Sequence, residues 1–124
     1  MATLSLGRRA GEPTMGGWLE TFRAADAWVV AAWEATAAMA PGTGELARQL
    51  RRGALDCGSA LVAAAQCGED ADNQVYLERA RSRLMEARYL LYLAKRFGSI
   101  DSRRYRMLTA KLDRALRDVS GRRA

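Results

Sequence analysis

No histidine occurs among the 124 residues, which removes the commonest general base and the Glu-x-x-His pairs that build di-metal sites in helical bundles. A serine or cysteine nucleophile would need a different activating group. Glu34, Glu78 and Glu86 stand apart from one another along the chain and read as surface ion-pair partners of nearby arginines. Asp26, at helical spacing from Phe22 and Val29, reads as a polar contact between helices. These absences point to a protein that is not an enzyme and carries no metal or cofactor.

Only two prolines, Pro13 and Pro41, interrupt the chain, and the two cysteines, Cys57 and Cys67, are ten residues apart. On one helix that separation is about 15 Å, too far for a disulfide, which needs Cα atoms within about 7 Å. Two free thiols make a reducing, cytoplasmic location the expectation. No run approaches the ~18–20 apolar residues that span a bilayer. Residues 1–17 place Arg8 and Arg9 after a short apolar stretch, unlike a secretory signal, and their glycines and Pro13 predict a flexible arm.

What the sequence does have is helical periodicity. Leu77, Ala80, Leu84, Ala87, Leu91 and Ala94 recur at spacings of three and four, which places them on one face of a helix. Trp18, Phe22, Ala25, Val29, Ala32, Thr36 and Met39 do the same, Leu46, Leu50, Gly53 or Ala54, Cys57, Leu61 and Ala64 continue such a face, and Tyr105, Leu108, Leu112, Ala115, Leu116 and Val119 share one side of a last segment. Four helices are predicted, over about 18–40, 44–66, 71–97 and 102–119. Pro41-Gly42, Gly68 and Gly98 end the first three. Thr43, Asp70 or Asp72, and Asp101 or Ser102 are the expected N-caps, with Glu69 in the acidic start of the third helix. Gly53, Cys57 and Ala60 give the second helix a small-residue line against which a neighbouring backbone is expected to pack closely.

The simplest fold is therefore all-α, an antiparallel up-down-up-down four-helix bundle over residues 18–120, with a basic tail at 121–124. The third helix carries more apolar surface than one core face can use. Tyr89, Leu90, Leu93 and Phe97 lie about 100–180° from its core stripe, and with Trp28 they are the expected contacts between subunits of a homo-oligomer.

The net charge of +6 is unevenly distributed: −1 over residues 1–50, +2 over 51–100 and +5 over 101–124, where eight basic groups face three acidic ones. Arg103, Arg104, Arg106, Lys111, Arg114 and Arg117 cover most of the non-core surface of the fourth helix. They form the candidate site for RNA or DNA, bound through phosphates without strong sequence preference. A solvated arginine surface is the alternative. Arg81, Arg88 and Lys95, seven apart, read instead as flanks of the core that pair with Glu78, Glu86, Asp113 and Asp118. A protein-interaction scaffold or ligand-holding ring is the second functional reading.

Several of these segments resemble one family. Gln49-Leu50-Arg51-Arg52-Gly53-Ala54, Tyr76-Leu77, Leu84-Met85-Glu86, Leu90-Leu91, Ala94-Lys95-Arg96-Phe97-Gly98 and Tyr105 resemble the bacterial four-helix-bundle family that includes proteins encoded in intervening sequences of large-subunit ribosomal RNA genes. That family is similar in turn to the accessory variability proteins of diversity-generating retroelements. The resemblance spans about residues 18–119. It implies one bundle per chain, a closed homopentameric ring, and, from the retroelement relatives, a basic surface for nucleic acid and a protein partner. Where many relatives carry a proline-, asparagine- and glutamate-bearing run after the double arginine, this chain has Asp56 to Ala64 with none of the three. Any role attached to that run is not carried over.

Overall fold

In a computed structural model describing residues 9–68 and 70–122, every regular element is helical. A 3₁₀ turn at Gly16–Trp18 leads into α1 (Leu19–Ala37), followed by α2 (Gly44–Cys67), α3 (Asp72–Arg96) and α4 (Ser102–Ser120). The helices match the expected segments to within three residues at each end. Residues 1–8 of the expected arm, Glu69, and residues 123–124 of the expected tail lie outside the described residues.

Each helix packs on its neighbours in chain order, and α4 returns to α1. Partner numbers on adjacent helices run in opposite directions. Val29 faces Gly58 while Thr36 meets Arg51, and Arg88 meets Asp113 while Lys95 sits over Tyr105. The result is an antiparallel four-helix bundle. The six periodic residues of α3 from Leu77 to Ala94 are all buried in one core with Leu50, Leu61, Leu108, Leu112 and Val119. No helix among the described residues is long and apolar enough to cross a membrane.

The helix ends show which local rules operate. Gly98 has φ +76°, and the amides of Gly98 and Ser99 donate to the carbonyls of Lys95 and Ala94 at 3.0 and 2.8 Å. This pair of reversed bonds satisfies carbonyls left open at the end of α3. Asp101 caps α4 by accepting from the Arg104 amide at 2.7 Å. Thr43 does not cap α2: its hydroxyl donates back to the Ala40 carbonyl at 2.7 Å. Asp70 accepts from the Asp72 amide at 3.2 Å and so supports the turn before α3.

Three expectations need correction. Residues 9–17 are not a loose arm. Met15 is buried, and Glu12 accepts from Arg23 Nε and Nη2 at 3.0 Å each and from the Arg9 amide at 2.9 Å. These donors hold the Glu12 carboxyl at about 2, well below the usual carboxylate range. Trp28, expected between subunits, is only 1% exposed within its own chain and belongs to the core. The arc that α1 buries, from Thr21 to Thr36, is about half its circumference at 3.6 residues per turn, because α1 touches both α2 and α4. Lastly, a Cβ built on Gly53 or Gly58 meets only the side chains of Glu86 and Val29, at 3.9 and 3.8 Å. Neither glycine is required by a close backbone approach.

The cysteines are free. Cys57 is fully buried in the core, and burial pushes its thiol up to about 12; Cys67 is partly exposed.

Candidate nucleic-acid interface

The outer side of α4 is set by its core side. Leu108, Leu112, Ala115 and Val119 point inward, so residues half a turn away must face solvent. Taking about 100° per residue, Arg103, Arg106, Arg114 and Arg117 fall within about 80° of arc opposite the core. They run about 21 Å along the helix, at 1.5 Å per residue. All four are exposed. None of the four has a side-chain hydrogen bond or ion pair among the described residues.

The other two expected residues sit elsewhere. Arg104 is exposed on the flank nearer α1, with its amide engaged by Asp101. Lys111 is half-buried in a groove between α1 and α4, about 560 Å³ in volume, floored by Ala24, Ala27 and Ala110. Glu20 and Asp118 line the same groove, so Lys111 faces carboxylates as well as solvent. Arg114 lines this groove too, so the outward stripe runs at Arg114 into a mixed-charge flank that holds Arg104 and Lys111.

Counter-charge is low on the N-terminal half of the stripe. Of the two acids within α4, Asp113 is taken by Arg88 of α3, leaving Asp118 at the groove. The α3 cations behave as flanking residues. Arg81 approaches Glu78 at 4.0 Å, Arg88 pairs with Asp113, and the Lys95 ammonium lies 5.0 Å from the centre of the Tyr105 ring. Arg83 binds Glu86 at 3.1 Å, whereas Glu34 has no ion pair among the described residues.

Two further sets of cations escaped the periodic reading. Arg79 and Arg83 both donate to Asp56 of α2, at 2.7 to 3.0 Å, and hold its carboxyl at about 2. Arg122, in the expected basic tail, is not free for a ligand. Its guanidinium covers the Trp18 ring at 4.3 Å and donates to the Thr21 hydroxyl at 3.1 Å and to the Gly17 carbonyl. Both sets join residues far apart in sequence, where helical spacing gives no signal.

The expected apolar contacts also divide. Tyr89 and Phe97 are each 61% exposed, while Leu90 is partly buried against the core and Leu93 is half-covered. Phe97 and Leu90 border a recess of about 310 Å³ with Leu46 and Gln49 on the α2 side of the bundle, away from the α4 arginines. Comparison with protein-family models, with curated proteins and with solved structures finds no match.

Proposed function

We propose that this protein is a non-enzymatic nucleic-acid-binding bundle that holds phosphates on the outer face of α4. One observation carries the reading: four arginines, Arg103, Arg106, Arg114 and Arg117, share a solvent-facing stripe with no side-chain partner among the described residues. Arginine forks suit phosphate oxygens. Backbone contacts of this kind give affinity that falls steeply with salt and select little sequence.

Self-association is a second element of the proposal, supported by the apolar recess at Phe97, Leu90 and Leu46. Repeating the α4 stripe in an oligomer would multiply weak phosphate contacts through effective concentration. Trp28 takes no part in that association.

Mobility-shift titrations with a labelled duplex at two salt concentrations test the phosphate reading. Reversing Arg103 and Arg106 to glutamate should weaken binding and flatten the salt dependence, by a log–log slope of about 0.9 for each phosphate no longer neutralised. No binding at low salt, or binding indifferent to these reversals, would sink it. Light scattering tests association separately: the native chain should exceed the monomer mass, and Phe97→Ala should lower it.

A further inference from the structure

From Ala87 to Gly98 the chain holds three aromatic and three cationic residues and no acid. Tyr89 and Tyr92, one helical turn apart, are 61% and 45% exposed. Their rings are stacked, with centroids 6.2 Å apart and planes 24° from parallel. Arg96 donates to the Tyr92 hydroxyl at 2.8 Å and so fixes the second ring. An aromatic surface already set in place loses little rotamer freedom when something is laid on it.

The contacts between α3 and α4 place this pair beside the arginine stripe. Tyr92 lies between Arg88 and Lys95 on α3, and those two meet Asp113 and Tyr105 of α4. Arg106 follows Tyr105 directly and is exposed. Packed helices are about 8–10 Å apart, axis to axis, so Tyr92 and Arg106 stand on neighbouring positions of adjoining helices, with Tyr89 one turn along α3 and Arg103 one turn along α4. The acids that flank this surface in sequence are occupied. Glu86 binds Arg83, Asp113 binds Arg88, and Asp101 caps α4.

We infer that this joint surface takes single-stranded nucleic acid, with bases laid on Tyr89 and Tyr92 and phosphates held by Arg103 and Arg106. This assignment rests on the phosphate-binding reading of α4 and narrows it. A duplex keeps its base faces inside its own stack and offers an arginine stripe only phosphates. Exposed aromatic rings beside cations instead match a strand whose base faces are free, and stacking tolerates any sequence because every base has a π-face. The Phe97 recess opens on the α2 side and is not part of this surface.

The test uses fluorescence anisotropy with the full chain and three labelled probes about 20 units long: oligothymidylate, an abasic strand of the same length, and a duplex. Oligothymidylate should bind about tenfold or more tightly than the abasic strand. The Tyr89→Ala/Tyr92→Ala double variant should lose that preference while keeping its salt dependence. Arg103→Glu/Arg106→Glu should weaken all three probes together. Oligothymidylate no better than the abasic strand, or a preference that survives loss of both tyrosines, overturns the single-strand assignment and leaves the phosphate reading standing. If none of the probes binds at low salt, both fail. If the tyrosine variant changes only the mass seen by light scattering, the ring pair is a subunit contact and the assignment is overturned.

Discussion

Arg79 of α3 grips Asp56 of α2 with two hydrogen bonds, Nε to Oδ2 at 3.0 Å and Nη2 to Oδ1 at 2.8 Å. Arg83 adds a third at 2.7 Å, and Arg83 in turn reaches Glu86. This network ties α2 to α3 midway along their length.

The Asp56 carboxyl is held at about 2 by hydrogen bonds from Arg79 and Arg83, below the value of about 3.9 for an unfolded aspartate. A depressed folded value means that the stabilisation is complete above the unfolded value and is lost as pH falls through about 2. Asp56→Asn should cost about 1–2 kcal/mol at neutral pH, since charged hydrogen bonds on a largely covered carboxylate exceed an exposed ion pair. The gap from the native chain should close between about pH 4 and pH 2. Urea titrations across that range measure it, and a gap independent of pH would contradict the assignment.

Trp28 is enclosed by its own chain, so Trp28→Ala should lower stability by about 3–5 kcal/mol through lost burial and the cavity left behind. Trp28→Phe should cost less, which keeps the comparison measurable if the alanine variant unfolds. At protein concentrations where each variant is folded, its mass by light scattering should equal that of the native chain.

Two glycines should respond with opposite signs. Gly58 lies within α2, with ordinary van der Waals space for an added methyl group, so Gly58→Ala should raise stability by about 0.5–1 kcal/mol. Gly98 sits at φ +76°, and Gly98→Ala should lower stability by about 1 kcal/mol through strain alone, because open space surrounds the site. Thermal melts of the two variants should shift in opposite directions.

Lys111 separates the two sides of α4 in a functional assay. Because it lies in the groove with Glu20 and Asp118, Lys111→Glu should weaken nucleic-acid binding less than Arg106→Glu. Equal losses in parallel titrations would show that the ligand reaches the α1 flank.

The fold was highly legible in the sequence because each helix carries its own record. The periodic stripe of α3 went to the core residue for residue, and Gly98 and Asp101 act as local stops and caps through neighbours at most five residues away. The exposed cationic side of α4 was legible for the same reason, since it lies away from the core stripe of the same helix, but the spacing grouped Arg104 and Lys111 with it, and these sit on the flank towards α1. Trp28 was not legible. A periodic pattern marks a helix face about 100° wide, but α1 lies between two neighbours and also buries the flank of its stripe that carries Ala24, Trp28, Ala31 and Ala35.

By itself, the sequence determined the helices, their ends, their inward faces and the surplus of positive charge in the last quarter, all consequences of the 3.6-residue turn and of local backbone preference. Only the tertiary structure decided which charges remain available. It joined Asp56 to Arg79 and Arg83, Asp113 to Arg88, Glu12 to Arg23, and Arg122 to Trp18. It left Arg103, Arg106, Arg114 and Arg117 with no side-chain partner among the described residues. Ion pairing depends on distance in space, and the antiparallel packing of four helices brings together groups that no spacing along a single helix connects.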